Sequence, residues 1–172
     1  GKIKIEYSIH QRPESVKNRK QFGHWELDTM VSSRGKSKGT FATFVERTSR
    51  FFLAFKIPDR TSLSMNQVIS TLRKKLPRKA MRTATVDRGS EFAGHMELKK
   101  ELKLHLYFAD PYCSWQRGSN ENANGLLREF FPKKTDLALV KEEELQRALF
   151  LINSRPRKCL GWKTPYEVFL DK

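Results

Sequence analysis

Met81-Arg82-Thr83-Ala84-Thr85-Val86-Asp87-Arg88-Gly89-Ser90 reads as a short strand that delivers an acid at its end and turns at once through glycine. The segment around Met96 to Leu102 then predicts a helix. From Lys103 to Ala109, Leu104, Leu106 and Phe108 alternate against Lys103, His105 and Tyr107, which predicts another strand. Upstream, Trp25, Leu27, Thr29 and Val31 share one face of a strand while Glu26 and Asp28 share the other. Arg34 to Gly39 has the glycines of a hairpin loop. Thr40 to Glu46 and Phe51 to Ile57 are aromatic and β-branched around the turn Arg47-Thr48-Ser49-Arg50. A three-stranded meander followed by strands that alternate with helices implies an α/β architecture, a mixed five-stranded sheet with helices on both faces.

The intervening and following segments fit that layering. Met65, Val68, Ile69, Leu72 and Leu76 hold helical spacing until Pro77. After the loop from Asp110, Gly118-Ser119-Asn120 offers turn and cap residues. A helix then carries Ala123, Leu126, Leu127, Phe130 and Phe131 on one side and Glu121, Asn124, Gly125 and Arg128 on the other. Another helix is expected from Glu142 to Ser154, stopped by Arg155-Pro156-Arg157-Lys158, and Thr164-Pro165-Tyr166-Glu167 signals a last short one. Residues 1–21 are basic with little apolar periodicity and read as an arm or linker, leaving residues 22–172 as the core.

Composition limits the chemistry. Thirty-four Lys and Arg against 19 Asp and Glu give a net charge of +15, the balance of a protein that meets a polyanion such as nucleic acid. Charge alone does not separate an enzyme from a binding module. Cys113 and Cys159 are too few for a disulfide framework, and neither has a Cys or His at zinc-finger spacing. No apolar run approaches 18 residues, and the start Gly1-Lys2-Ile3-Lys4 is no signal peptide, so a soluble chain is expected. Beginning without Met, it reads as a fragment of something longer.

Three acids stand where acids are costly unless used. Asp28 lies within an apolar strand, Asp87 closes a second, and Glu121 opens a helix. If the two strands are neighbours and the helix packs across their end, the three carboxylates converge. Like charges in contact raise one another's pKa values, so such a cluster calls for a divalent cation, and hard oxygen ligands select Mg²⁺ or Mn²⁺. Two such ions are a standard device for phosphodiester chemistry. From spacing alone, purely structural roles for these acids stay open.

The residues also carry a resemblance. Gly23-His24-Trp25-Glu26-Leu27-Asp28, Thr85-Val86-Asp87-Arg88-Gly89-Ser90-Glu91-Phe92 and Trp115 to Leu126 resemble, in order and spacing, the three signature blocks of the IS-thirty family of insertion-sequence transposases. Arg155 to Gly161 and Thr164 to Glu167 are similar to that family's C-terminal signature. The resemblance implies an RNase H-like, retroviral integrase-like fold with Asp28, Asp87 and Glu121 as a DDE triad holding two Mg²⁺ or Mn²⁺ ions. It implies hydrolysis at a transposon end to free a 3′-hydroxyl, followed by attack of that hydroxyl on target DNA. DNA, as transposon end and target, is the implied partner, with a homo-oligomer on the DNA, no membrane, and a bacterial cytoplasmic, nucleoid-associated setting. Arg88 departs mildly from the pattern, since Asn is frequent there among relatives.

Other residues are candidates for DNA contact. Trp115, Gln116 and Arg117 precede the Glu121 helix in a loop able to move, and Trp115 could equally anchor that loop on the core. Asn120, Asn122, Asn124 and Arg128 are polar groups on or beside the exposed side, and Arg155, Arg157 and Lys158 form a block suited to phosphate. Glu26 and Glu91 read as supports for the acidic cluster rather than ligands. Two rival readings remain at this stage: a transposase-derived DNA-binding module without catalysis, and an RNase H-like nuclease.

Overall fold

The structure is a computed structural model that describes residues 2–172. Strands β1 (His24–Val31), β2 (Thr40–Glu46) and β3 (Phe52–Ile57) form the antiparallel meander, with Asp28 opposite Thr43. Strand β4 (Thr83–Val86) lies parallel to β1, and β5 (His105–Phe108) parallel to β4, giving the order β3-β2-β1-β4-β5.

Alternation along the strands divides the core between two faces. Trp25, Leu27, Ala42, Phe44, Ala84, Val86 and Phe108 point to one face, where they pack with Met65, Ile69 and Leu98. Met30, Phe41, Val45 and Ala54 point to the other, against Ala123, Leu127, Leu145 and Leu149. Helix α1 (Glu14–Lys17) is a single turn near the start. Helices α2 (Ser62–Lys75) and α3 (His95–Leu102) cover the first face, and α4 (Gly118–Phe130) and α5 (Glu142–Asn153) cover the second. Helix α6 (Pro165–Leu170) adds Phe169, which stacks on Phe51 with ring centroids 4.2 Å apart.

Local signals in the sequence are realised where they rest on local chemistry. Thr61 caps α2 by accepting from the Ser64 N–H, and Thr164 caps α6 by accepting from the Glu167 N–H with Pro165 at the first turn. Each border of the sheet is met at one point by a tertiary contact. At the start of β3, the buried Asn153 amide accepts from the Phe52 N–H and donates to its C=O. Beside β5, Ser8 forms a parallel bridge with Phe108, whose N–H donates to the Tyr7 carbonyl. The first 21 residues, expected as an arm or linker, therefore lie partly against the sheet, with Ile9 and Val16 buried.

Candidate active site

The strand register places the two aspartates. His24 pairs with Thr83 and Glu26 with Thr85, and the same offset carried two residues further sets Asp87 level with Asp28 on the adjacent parallel strand. Both point to the face covered by α4, because Glu26, Asp28 and Met30 alternate with the core residues Trp25 and Leu27. The Asp87 turn is built locally: the Gly89 N–H donates to Asp87 Oδ1 at 2.8 Å. Gly89 also lies so close to the buried Glu91 carboxylate that a Cβ there would fall 2.3 Å from its oxygen.

A guanidinium joins the pair. Arg117 Nη1 lies 3.5 Å from Asp28 Oδ2, and Nη2 lies 3.7 Å from Asp87 Oδ2. These distances are long for charge-assisted hydrogen bonds, and Arg117 is buried with Nε and Nη1 lacking any hydrogen-bond partner. Asn124 Nδ2 donates to Asp28 Oδ2 at 3.0 Å, while Asn124 Oδ1 is buried and unpartnered. Burial pushes the Asp28 carboxyl above the ordinary range, opposed by Arg117 and the Thr29 N–H and reinforced by the charges of Asp87 and Glu91.

Glu121 does not close the cluster. It is exposed, and among the described residues no three His, Cys, Asp or Glu gather as a metal-holding group. In this structure Asp28 and Asp87 are drawn together through Arg117, and Glu121 stands outside that pair. A single guanidinium balances only part of their charge, and a third carboxylate brought alongside would face net repulsion. Glu121 nevertheless lies on the relevant face of α4. Arg117, Glu121, Asn124 and Arg128 form one stripe at helical spacing, and its other members reach Asp28, Asp87 or the Val31 carbonyl of β1.

The remaining candidates divide by burial. Asn120 is fully buried: its N–H donates to Glu26 Oε1, and its side-chain amide to the Glu26 carbonyl. That corrects its expected place at the surface, because the start of α4 is fastened to β1. The segment Ser114–Arg117 is a 3₁₀ turn running into α4, which begins at Gly118, three residues before Glu121. Gln116 is engaged with Asp110, whereas Trp115 is 71% exposed. Asn122 and Lys158 are exposed, Arg157 is half-buried, and Arg155 makes a loose 3.4 Å pair with Glu129. Arg128 donates to the Val31 carbonyl. A cleft of about 320 Å³ opens beside Asp87, lined by Arg88, Asp110, Tyr112, Ser114 and Arg117.

Glu26 and Glu91, expected as supports, are each tied to an arginine. Glu26 pairs with Arg47 at 2.8 Å, and Glu91 pairs with Arg60 at 3.1 Å and accepts from the Thr29 hydroxyl. The bridging role of Arg117 and the hold of Asn124 on Asp28 were not foreseen. The stripe shared with Glu121 was the signal that could have found them.

Residues 18–114, more than half of the chain and including Asp28 and Asp87, match the family model described as Integrase core domain. The chain belongs to the integrase core domain family. It is 42% identical over 160 residues to the transposase InsI for insertion sequence element IS30C of Escherichia coli (strain K12), covering 93% of this chain and 41% of that protein. It is 40% identical over 168 residues to the transposase for insertion sequence element IS1086 of Cupriavidus metallidurans, covering 98% of this chain and 49% of that one. The integrase core described here thus spans less than half the length of these curated relatives. The catalytic core domain of BIV integrase superposes with a TM-score of 0.65 at 25% identity, covering 86% of this chain and 93% of that one. The fold is accordingly the RNase H-like fold of a retroviral integrase core. No helix among the described residues is long and apolar enough to cross a membrane.

Proposed function

We propose that this chain is the catalytic core of a DDE transposase that cuts at transposon ends and joins the freed 3′-hydroxyl to target DNA. The observation that carries this reading is the pairing of Asp28 and Asp87 on adjacent parallel strands, in an integrase core, around one buried and poorly bonded cation. The donor set suits a hard divalent ion: two carboxylates and the unpartnered Asn124 Oδ1, all oxygen, with no sulfur or imidazole among them. Asp28, Asp87 and Glu121 would hold Mg²⁺ or Mn²⁺, two per site, with Asn124 orienting Asp28. Bound there, such ions activate an attacking oxygen and stabilise a leaving one in phosphodiester transfer.

The chain's own groups supply the rest. Arg117 keeps the two aspartates at short range against their repulsion. Tyr112, fully exposed, rims the cleft beside Asp87, and the exposed Trp115 directly follows Ser114 of its lining; both offer faces on which bases stack. Gln116, Asn122, Arg128, Arg155, Arg157 and Lys158 would meet the DNA, whereas Asn120 holds α4 in place. Assembly as a homo-oligomer on DNA, in the bacterial cytoplasm at the nucleoid, belongs to the same reading.

A pre-cut transposon end, target DNA and Mn²⁺ test it. Joined product is expected, lost in Asp87→Asn while DNA binding stays within about twofold of the parent, or about 0.4 kcal/mol. Cleavage of an RNA–DNA hybrid without joining would replace the proposal with a nuclease, and equal turnover by the variant would remove Asp87 from the mechanism.

A further inference from the structure

The flank of α4 turned away from Asp28 holds a second charged feature. Arg19, Arg50 and Arg157, from three distant parts of the chain, line a pocket of about 200 Å³ together with Ser119 and Asn122 of the first turns of α4. Positive charge there exceeds what the protein balances. Among the described residues, Arg50 and Arg157 make no ion pair, and Arg19 approaches only Glu26, at 3.9 Å. Glu26 already holds Arg47 at 2.8 Å. The neighbouring buried acid, Glu46, uses its oxygens on the Gly23 N–H and on the N–H and hydroxyl of Ser49.

The walls are organised as well as charged. Arg19 donates to Ser119 Oγ at 2.8 Å and to the Arg47 carbonyl, fixing its guanidinium at the pocket. Burial, and then the charges of Arg47 and Arg50, bring the Arg19 pKa down to about 10, the effect expected of cations crowded without enough counter-charge. Gly118 of α4 opens on free space beside the pocket, while the Asn120 N–H of the same turn is already engaged by Glu26 Oε1, so the guanidinium groups are the main attraction for an anion.

We propose that this pocket is a phosphate subsite that seats one backbone phosphodiester of the DNA engaged at the carboxylate cleft. Three forked guanidinium groups, a hydroxyl and an amide around a small concavity match a tetrahedral oxyanion better than a base, a carboxylate or an apolar group. The proposal rests on the reading of the chain as a DNA-acting enzyme. It adds a fixed point on the opposite flank of α4. A helix is about 10 Å across, so the seated phosphate would lie about three base pairs of rise from the reacting one.

Duplex DNA binding by this chain, measured as a function of salt, tests the proposal. Arg50→Gln and Arg157→Gln should each lower the slope of log K against log salt, and the double variant should lower it by about one in all, because a single phosphate is seated there. Arg157→Lys should restore the slope, separating lost charge from lost folding. Lys74→Ala, which removes the same charge from α2 on the other face of the sheet, should leave it unchanged. Slopes in the two Gln variants equal to the parent would overturn the subsite. So would an equal drop in Lys74→Ala, which would reduce the effect to net charge. Thermal stabilisation by inorganic phosphate that Arg157→Gln abolishes, with unaltered DNA slopes, would also overturn it in favour of a free-anion site. The catalytic reading is judged apart: Asp87→Asn should keep the parental slope, and loss of the subsite leaves the joining assay untouched as a test.

Discussion

Two arginines sit on acids two residues apart on the same face of β1, and they are held very differently. Arg47 meets Glu26 at 2.8 Å, donates from Nε to the Val16 carbonyl, and shares the Glu26 carboxylate with the Asn120 N–H. Arg117 meets Asp28 and Asp87 at 3.5 and 3.7 Å and leaves two of its buried nitrogens without a hydrogen-bond partner. Burial is similar, so desolvation weighs on both, but only the first pair recovers it through good geometry. The first is part of the frame that fixes α4 to the sheet. The second has the character of a cation that can be exchanged.

The largest expected effect breaks the frame. Glu26→Ala leaves Arg47 buried without its partner and frees the start of α4, and should cost about 3–5 kcal/mol in denaturant unfolding. A loss under about 1 kcal/mol would erase the distinction between the two pairs.

Acid should attack the same end of the sheet. His24 is buried on the Thr83 hydroxyl and Gln21, and burial together with Arg82, Arg47 and Arg12 lowers its pKa from 6.5 to about 4. The folded value lies below the unfolded one, so the unfolded chain takes up the proton first. The stability contributed is present above pH 6.5 and lost as pH falls toward 4, by at most about 3 kcal/mol. Melts across that window should show the decline, and His24→Gln should flatten it.

At the exchangeable site the expected sign reverses, because a partner can be gained. Mn²⁺ or Mg²⁺ at 100 times its dissociation constant should stabilise the chain by about 2.7 kcal/mol, read as a shift in melting. Unchanged melting across saturating metal would count against a preformed site. The smallest effect sharpens the comparison most. Arg117→Gln should cost about 1 kcal/mol in the metal-free chain and tighten Mn²⁺ about tenfold by calorimetry, since a competing charge is removed. Weaker Mn²⁺ binding would instead make Arg117 part of the frame.

Legibility in the sequence followed the range of the interactions. The strands, the cap at Thr164 and the two faces of α4 rest on neighbours within a few residues, where periodicity and capping signals expose them. Asp28 and Asp87 were readable as candidates because one lies within an apolar strand and the other directly follows the end of a second. The start of α4 was not readable in full. Asn120 and Arg117 have the composition of a polar DNA-facing loop, and only contact with acids on β1 and at the end of β4 turns them inward. Ile9 and Val16 are likewise single buried anchors in a basic segment, too far apart to make a pattern.

Asn153 occupies the backbone groups of Phe52 on one outer strand, and the bridge from Ser8 to Phe108 occupies the other. At both points a neighbouring molecule finds no open ladder onto which it could zip. A second copy brought alongside is thereby denied strand pairing at these two points, and the hazard of fusing into a continuous ribbon is lowered.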